Sequence, residues 1–212
     1  KVILEGAFCC QVPRNYLYFI LYTSINKDNT KVTAFANIIG ISGWSGSGKT
    51  QLMSKLIKFF VEGCNLKVCA LKHAHSSFEI DKKGKDSYRF FEAGASSVVI
   101  SSSKQWAVIN KVESKEPSLN DLLSEIKSNF DLILVEGWKF ENIKKIEVFR
   151  KKINKPLLCN NYSNFIAVAT NSKNLEIKKV KNISILNLNN INEVGNFILK
   201  HFKIKLCTNS AK

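Results

Sequence analysis

The stretch Gly43-Trp44-Ser45-Gly46-Ser47-Gly48-Lys49-Thr50 decides how the rest of this 212-residue chain is interpreted. It fits the phosphate-binding pattern G-x-x-x-x-G-K-[ST] at every fixed position. In such a loop the glycines let backbone N–H groups point at phosphate oxygens, the lysine reaches the β- and γ-phosphates, and the final hydroxyl can ligate Mg²⁺. The candidate phosphate contacts are Gly43, Ser45, Gly46, Ser47, Gly48, Lys49 and Thr50, and Thr50 is also a candidate metal ligand.

The sequence on either side of this loop supports the interpretation. Residues 34–42 form a short apolar run typical of a strand, and residues 50–60 carry apolar side chains at helical spacing. A strand, a glycine loop and a helix in this order direct the helix N-terminus at a bound anion. The segment therefore predicts a site for the phosphates of a nucleoside triphosphate.

Strand and helix patterns alternate along the remainder of the chain. Strands are predicted at 66–71, 97–101, 105–110, 132–135, 146–149, 165–169 and 183–186, and helices at 87–93, 118–128 and 192–202. The strands at 97–101 and 105–110 are close enough to form a hairpin. With the phosphate loop, this pattern predicts an α/β fold of P-loop NTPase type, with a mostly parallel twisted sheet and helices on both faces. Residues 34–212 are predicted as one nucleotide-binding domain, and residues 1–33 as an N-terminal extension to which no role is assigned.

Composition limits the class of protein. The chain is long enough, and at 45% hydrophobic residues apolar enough, to bury one α/β core. No run approaches the roughly 20 apolar residues that span a bilayer, so no membrane association is expected. No signal peptide is expected either, because no basic segment closely precedes the apolar run at 16–22 and no small-residue cleavage site follows it. Six cysteines without a C-x-x-C pair predict reduced thiols and a cytoplasmic location.

Charge is distributed unevenly. Residues 138–212 carry 15 basic and four acidic side chains, so +11 of the net charge of +15 lies in the last third of the chain. Such a surface attracts phosphorylated ligands, nucleic acid or an acidic partner. The alternative is a general richness in lysine with no specific ligand, because charge alone governs association and not fold.

A second informative stretch runs from Lys72 to Ser87 and follows a predicted strand, so it lies at the edge of the sheet where ligands bind in open α/β folds. Its carboxylates, Asp81 and Asp86, are candidates for acting on Mg²⁺ or its waters, and Asp81 is also a candidate catalytic acid. Two histidines are too few for a zinc site, which leaves phosphate contact or polar anchoring as their expected role. The candidate nucleotide contacts of this stretch are Lys72, His73, His75, Lys85 and Asp86.

The apolar run Leu132–Val135 followed by Glu136 is the third element. An apolar strand that ends in an acid is the Walker B arrangement, in which the carboxylate holds Mg²⁺ directly or through water. Glu136 is therefore a candidate metal ligand and catalytic residue, whereas Asp131, at the opposite end of the strand, is expected to be structural. Lys139, three residues beyond Glu136, is a further candidate nucleotide contact.

The segments WSGSGKT, KHAHSSFEIDKKGKDSYRFFEAGA, SSVVISSSKQWAVI and DLILVEGWK, in this order, resemble the molybdopterin-guanine dinucleotide biosynthesis protein B (MobB) family over roughly residues 37–200. The resemblance implies a GTP- and Mg²⁺-binding adapter with at most weak GTPase activity, usually a homodimer. It also implies molybdopterin or the molybdenum cofactor, and the molybdenum cofactor guanylyltransferase, as partners. Where members of the family carry Ser-Asp after a late strand, this chain has Thr170-Asn171, so Asn171 is the candidate guanine contact.

Two other functions fit a P-loop. One is a small-molecule kinase, although the chain has only Arg14, Arg89 and Arg150 and so offers no arginine cluster for a phosphate acceptor. The other is an NTPase associated with nucleic acid, suggested by the basic last third. No nucleic-acid-binding motif is present there, so nucleic acid is not an expected partner.

Overall fold

A computed structural model of the chain describes residues 37–74, 83–112, 115–126, 129–173, 175, 177 and 182–206. The predicted extension at 1–33 and two predicted site residues, His75 and Asp81, lie outside the described residues. The described strands are β1 (Ile38–Ser42), β2 (Val68–Lys72), β3 (Ser97–Ser101), β4 (Trp106–Asn110), β5 (Leu132–Glu136), β6 (Lys145–Phe149), β7 (Phe165–Thr170) and β8 (Ser184–Asn187). The α-helices are α1 (Lys49–Lys58), α2 (Asp86–Glu92), α3 (Leu119–Glu125) and α4 (Ile191–Phe202).

Six of the strands form one parallel sheet in the order β2-β5-β1-β6-β7-β8. The strand that precedes the phosphate loop, β1, lies inside this sheet between β5 and β6. The strands β3 and β4 pair with each other in an antiparallel two-stranded sheet, which is the predicted hairpin. The predicted α/β fold with a mostly parallel sheet is confirmed.

The alternating side chains of β5 show how helices cover both faces of the sheet. Leu132 and Leu134 join the core that contains the apolar faces of α1 and α4. Ile133 and Val135 point to the opposite face, where they pack with residues of α3. Because side chains alternate along a strand, a strand covered by helices on both faces is apolar throughout, as the sequence 132–135 is.

The helix after the phosphate loop does not end at Lys58 but continues as a single π-helical turn, Phe59–Gly63. This turn packs beside α4, where Gly195 is buried. A Cβ on Gly195 would lie 2.5 Å from Cδ1 and 2.9 Å from Cζ of Phe59. Two helices approach this closely only where one of them has no side chain.

Among the described residues, the structure contains no helix with both the length and the apolar content of a membrane span.

Candidate functional site

The phosphate loop follows β1 directly and is packed tightly where its glycines occur. A Cβ on Gly43 would lie 2.5 Å from the carbonyl oxygen of Val148 and 2.7 Å from Oγ of Ser47. Gly48, the last residue before α1, has a φ of 97°, a left-handed conformation that costs other residues roughly 1–2 kcal/mol. The glycines of the pattern are therefore required by packing at one end of the loop and by backbone conformation at the other.

The N-terminus of α1 is available to an anion. α3 and α4 begin with Ser118 and Asn190, whose side chains accept hydrogen bonds from backbone N–H groups of the first turn. Within the described part of the chain, α1 has no such side-chain cap. The hydroxyl of Ser47 beside it is buried and has no hydrogen-bond partner among the described residues. Uncapped N–H groups and the helix dipole favour a negative ligand here.

Two oxygen-bearing side chains meet next to this helix end. The Thr50 hydroxyl donates to Oε1 of Glu136 at 2.9 Å, and Glu136 is only 8% exposed at the end of β5. A hydroxyl and a carboxylate are ligands that suit Mg²⁺, which keeps its remaining positions for phosphate oxygens and water. Within the described residues no group of three or more His, Cys, Asp and Glu side chains is placed to hold a metal. The pair therefore fits a cation held jointly by protein and phosphate.

The P-loop lysine lies inside the loop. Its Nζ donates to the carbonyl oxygen of Trp44 at 3.0 Å. Burial lowers the pKa of Lys49, while the nearby Glu136 carboxylate raises it and Lys72 lowers it. The ammonium group is thus partly shielded from water and lies against the phosphate loop.

A cavity of about 1140 Å³ opens over the loop and the ends of β1, β2 and β5. It brings together most of the residues predicted for the site. Those that line it are Gly43, Ser45, Gly46, Gly48, Lys49, Thr50, Lys72, His73, Glu136 and Lys139.

His73 belongs to the wall of the cavity and makes contacts that the sequence did not indicate. Its ring stacks on Trp138 with centroids 4.8 Å apart, and its Nε2 lies 2.6 Å from Oε1 of Glu116. A Cβ on Gly137 would lie 2.7 Å from Cβ of His73. His73 is therefore anchored between two chain segments, in line with the polar anchoring considered for it from the sequence.

Four predicted residues that the structure describes do not line this cavity. One of them, Ser47, is buried beside the N-terminus of α1. Lys85 and Asp86 are exposed at the start of α2, where Asp86 lies 3.8 Å from Arg89. α2 itself packs against β3 of the hairpin. Asn171 lies in a second cavity of about 450 Å³ at the ends of β7 and β8, together with Asn187 and other residues.

Arg150, not predicted as a site residue, holds the phosphate loop from the side of β6. Its Nε donates to the carbonyl oxygen of Ser47 at 2.9 Å, and the guanidinium lies 3.5 Å from the position of a Cβ on Gly48. The sequence did contain one indication of this role. Arg150 directly follows a predicted strand, and the carboxyl ends of neighbouring parallel strands meet at one edge of the sheet.

The chain thus has the features of the P-loop α/β class: a parallel sheet with the loop after an interior strand, an uncapped helix N-terminus and an adjacent hydroxyl–carboxylate pair. Residues 38–171 match the model of the family described as molybdopterin guanine dinucleotide synthesis protein B, MobB. The chain belongs to the MobB family, as the sequence motifs predicted.

Individual proteins agree with this assignment. A molybdopterin-guanine dinucleotide biosynthesis adapter protein of Haemophilus influenzae is 39% identical over 170 residues, which cover 78% of this chain and 90% of that protein. A protein of the same name from Escherichia coli is 39% identical over 115 residues, 53% of this chain and 65% of its own length. The crystal structure of Bacillus subtilis MobB superposes with a TM-score of 0.61 at 20% identity, covering 80% of this chain and 99% of that one. A MobB homolog from Bacillus stearothermophilus gives a TM-score of 0.55 at 19% identity, covering 80% and 99%. At these identities the two structures show a shared fold.

Proposed function

We propose that this protein is a GTP-binding adapter in molybdopterin guanine dinucleotide biosynthesis, with weak Mg²⁺-dependent GTPase activity at most. The observation that supports the nucleotide part is the single cavity that unites the P-loop, the uncapped N-terminus of α1 and the Thr50–Glu136 pair. The names of the relatives from Haemophilus influenzae and Escherichia coli support the adapter part.

The roles of the residues follow from their positions. The backbone N–H groups of the loop donate hydrogen bonds to the phosphate oxygens. The Lys49 ammonium gives up its hydrogen bond to the carbonyl oxygen of Trp44 and binds the β- and γ-phosphates instead. Thr50 and Glu136 hold Mg²⁺, which when bound neutralises part of the phosphate charge. A carboxylate engaged by a hydroxyl and a cation is a poor base toward water, so slow hydrolysis is part of the proposal. Asp81, the second candidate acid, lies outside the described residues.

The guanine base is assigned to the second cavity, near Asn171. β7 lies two strands from β1, which at the usual strand spacing is about 10 Å. A ribose separates base and phosphates over a comparable length. The amide groups of Asn171, Asn187 and Asn189 offer both donors and acceptors, which suits the edge of a neutral base.

Calorimetric titration with GTP and Mg²⁺ tests the nucleotide part. Lys49→Ala and Thr50→Ala should each abolish measurable binding without lowering the melting temperature of the free protein, because neither side chain belongs to the core. Lys55→Ala removes the same charge as Lys49→Ala from an exposed position on the same helix and should bind normally. Unchanged affinity in both P-loop variants would refute the site, and a preference for ATP would refute the assignment of guanine.

A homodimer is part of the proposal, and the hairpin is the surface that supports it. Val99 is 66% exposed and Trp106 is 70% exposed, and with the exposed Val108 they lie on one face of the β3–β4 sheet. Neither strand contains a charged residue, so two copies of a chain with a net charge of +15 can meet there without opposing like charges. Sedimentation should give a dimer for the wild type and a monomer for Trp106→Glu. The control Val61→Glu changes another exposed apolar residue and should leave the dimer intact.

The partners proposed for the adapter are the molybdopterin or molybdenum cofactor and the guanylyltransferase that uses it. The rim of the large cavity carries Lys72, Lys115 and Lys139, more cations than one triphosphate already bound by Lys49 and Mg²⁺ requires. A pterin phosphate is a ligand of suitable charge. Titration of molybdopterin against wild type and Lys139→Ala tests this contact, with Lys55→Ala, an exposed lysine that does not line the cavity, as the control. Equal affinities of all three would refute the assignment to the rim.

A further inference from the structure

A buried carboxylate next to the phosphate loop has no role in the function proposed above. Glu147 lies in β6, beside β1, and is fully buried. Its neighbours in the strand, Ile146 and Val148, belong to the core beneath α1 and α4, so Glu147 points to the opposite face of the sheet. An acidic side chain in such a position requires hydrogen-bond partners to offset its lost hydration.

Those partners are backbone groups of a distant turn. Oε1 of Glu147 accepts from the N–H of Leu158 at 2.7 Å, and Oε2 accepts from the N–H of Cys159 at 2.9 Å. Both residues belong to a 3₁₀ turn, Leu158–Asn160, whose N-terminus is otherwise without a side-chain cap among the described residues. Burial raises the pKa of Glu147, and the hydrogen bonds from Leu158 and Cys159 oppose that shift. The carboxylate therefore fastens this turn to the middle of the sheet.

Leu158 of this turn and the two residues directly before it contact the phosphate loop. The indole Nε1 of Trp44, the second residue of the P-loop, donates to the carbonyl oxygen of Pro156 at 2.7 Å. Trp44 also packs against the apolar cluster that contains Leu157 and Leu158. The carbonyl oxygen of Trp44 in turn accepts from Lys49 and from the N–H of Ser47. A chain of contacts thus runs from Glu147 through the turn to Trp44 and on to the P-loop lysine.

We propose that Glu147 is a positioning residue for nucleotide binding, which holds the turn that holds Trp44 and thereby sets the conformation of the phosphate loop. The inference rests on the proposed function, because the affinity that it alters is that for the nucleotide. Glu147 does not line the cavity and is assigned no contact with the ligand.

Glu147→Gln tests this with little change of shape, because glutamine keeps one acceptor oxygen and presents an N–H₂ group to the other backbone N–H. The first measurement needs no nucleotide. The indole N–H resonance of Trp44, assigned by its loss in Trp44→Phe, should shift and exchange faster in Glu147→Gln, while those of Trp106 and Trp138 stay in place. An unchanged Trp44 resonance overturns the inference.

The second measurement is a double-mutant cycle on GTP affinity. Glu147→Gln should weaken binding by about tenfold in the wild-type background and by less than about twofold in Trp44→Phe, because the Trp44–Pro156 hydrogen bond through which Glu147 is proposed to act is then already lost. Phe165→Leu, a buried change in the same apolar cluster, controls for lost stability and should leave affinity unchanged. Losses that simply add in the double variant indicate a merely structural role and overturn the inference. If the wild type binds no GTP, the proposed function fails, and the Trp44 resonance alone decides whether Glu147 positions the loop.

Discussion

Arg150 offers the sharpest test of how the phosphate loop is held in shape. Arg150→Ala removes one hydrogen bond from a charged donor, Nε to the carbonyl oxygen of Ser47 at 2.9 Å, in a partly buried setting. Hydrogen bonds of charged groups contribute about 1.5–3 kcal/mol. If all of this free energy stabilises the conformation of the loop that binds GTP, the affinity for GTP should fall by roughly 10- to 150-fold in Arg150→Ala. Calorimetry at constant salt measures this change.

Two control variants separate geometry from charge. Arg150→Lys keeps the charge but loses the planar fork, so it should lose most of the affinity that Arg150→Ala loses. Arg89→Ala removes the same charge from an exposed position on α2 and should bind almost as the wild type does. The reasoning is refuted if Arg150→Ala and Arg89→Ala weaken binding equally, because the effect would then be general electrostatic attraction.

Three further outcomes are expected. Glu136→Gln should keep GTP affinity within about tenfold (~1.4 kcal/mol) yet lose Mg²⁺-dependent phosphate release. Asp131→Asn, at the far end of β5, where Asp131 accepts from the N–H of Lys67, should hydrolyse GTP normally, and the reverse pattern would show that Glu136 is not the catalytic acid. Gly195→Ala should lower the free energy of unfolding in urea by about 1–2 kcal/mol, because the cost of overpacking against Phe59 exceeds the stability gained from the higher helix propensity of alanine. Higher stability would show that the Phe59 ring moves aside freely. Burial, with the Glu147 charge, raises the pKa of the Cys159 thiol to about 12, so almost no thiolate exists at pH 8. Mass spectrometry should therefore find Cys159 alkylated by iodoacetamide only after unfolding, and rapid labelling of the native protein would contradict its burial.

The sequence predicted those parts of the site in which consecutive residues form the feature. The P-loop is a contiguous motif, and Glu136 follows an apolar strand, so pattern and position together were sufficient for both. The contact of Arg150 with Ser47 depends on which strand lies beside β1, and that of Glu147 with Leu158 on how the chain after β6 folds back onto the sheet. Spacing along the chain contains neither kind of information. His73 was predicted near the site, but its partners Glu116 and Trp138 come from loops that only the folded sheet brings together.

The differences between prediction and structure have similar causes. Lys85 and Asp86 were predicted as nucleotide contacts because they follow β2; both are exposed at the start of α2, outside the lining of the cavity. The segment 145–149 alternates charged and apolar residues like a half-exposed strand, although β6 is covered on both faces. Lys145 and Glu147 are tolerated there because backbone groups satisfy both, Lys145 by donating to the carbonyl oxygen of Glu141. Such pairing depends on tertiary structure and leaves no local pattern.

The place of β1 inside the parallel sheet has a consequence for how the protein is made. Both neighbours of β1 come from much later in the chain, since Ile38 pairs beside Ile133 of β5 and Gly40 beside Lys145 of β6. During synthesis the strand that supports the phosphate loop therefore has both edges unpaired until β5 has been made, and one edge unpaired until the chain has grown past β6. Long-range parallel pairing of this kind forms slowly, and unpaired strand edges are prone to association. The phosphate loop is thus among the first parts of the proposed site to be synthesised and among the last to gain its supporting structure.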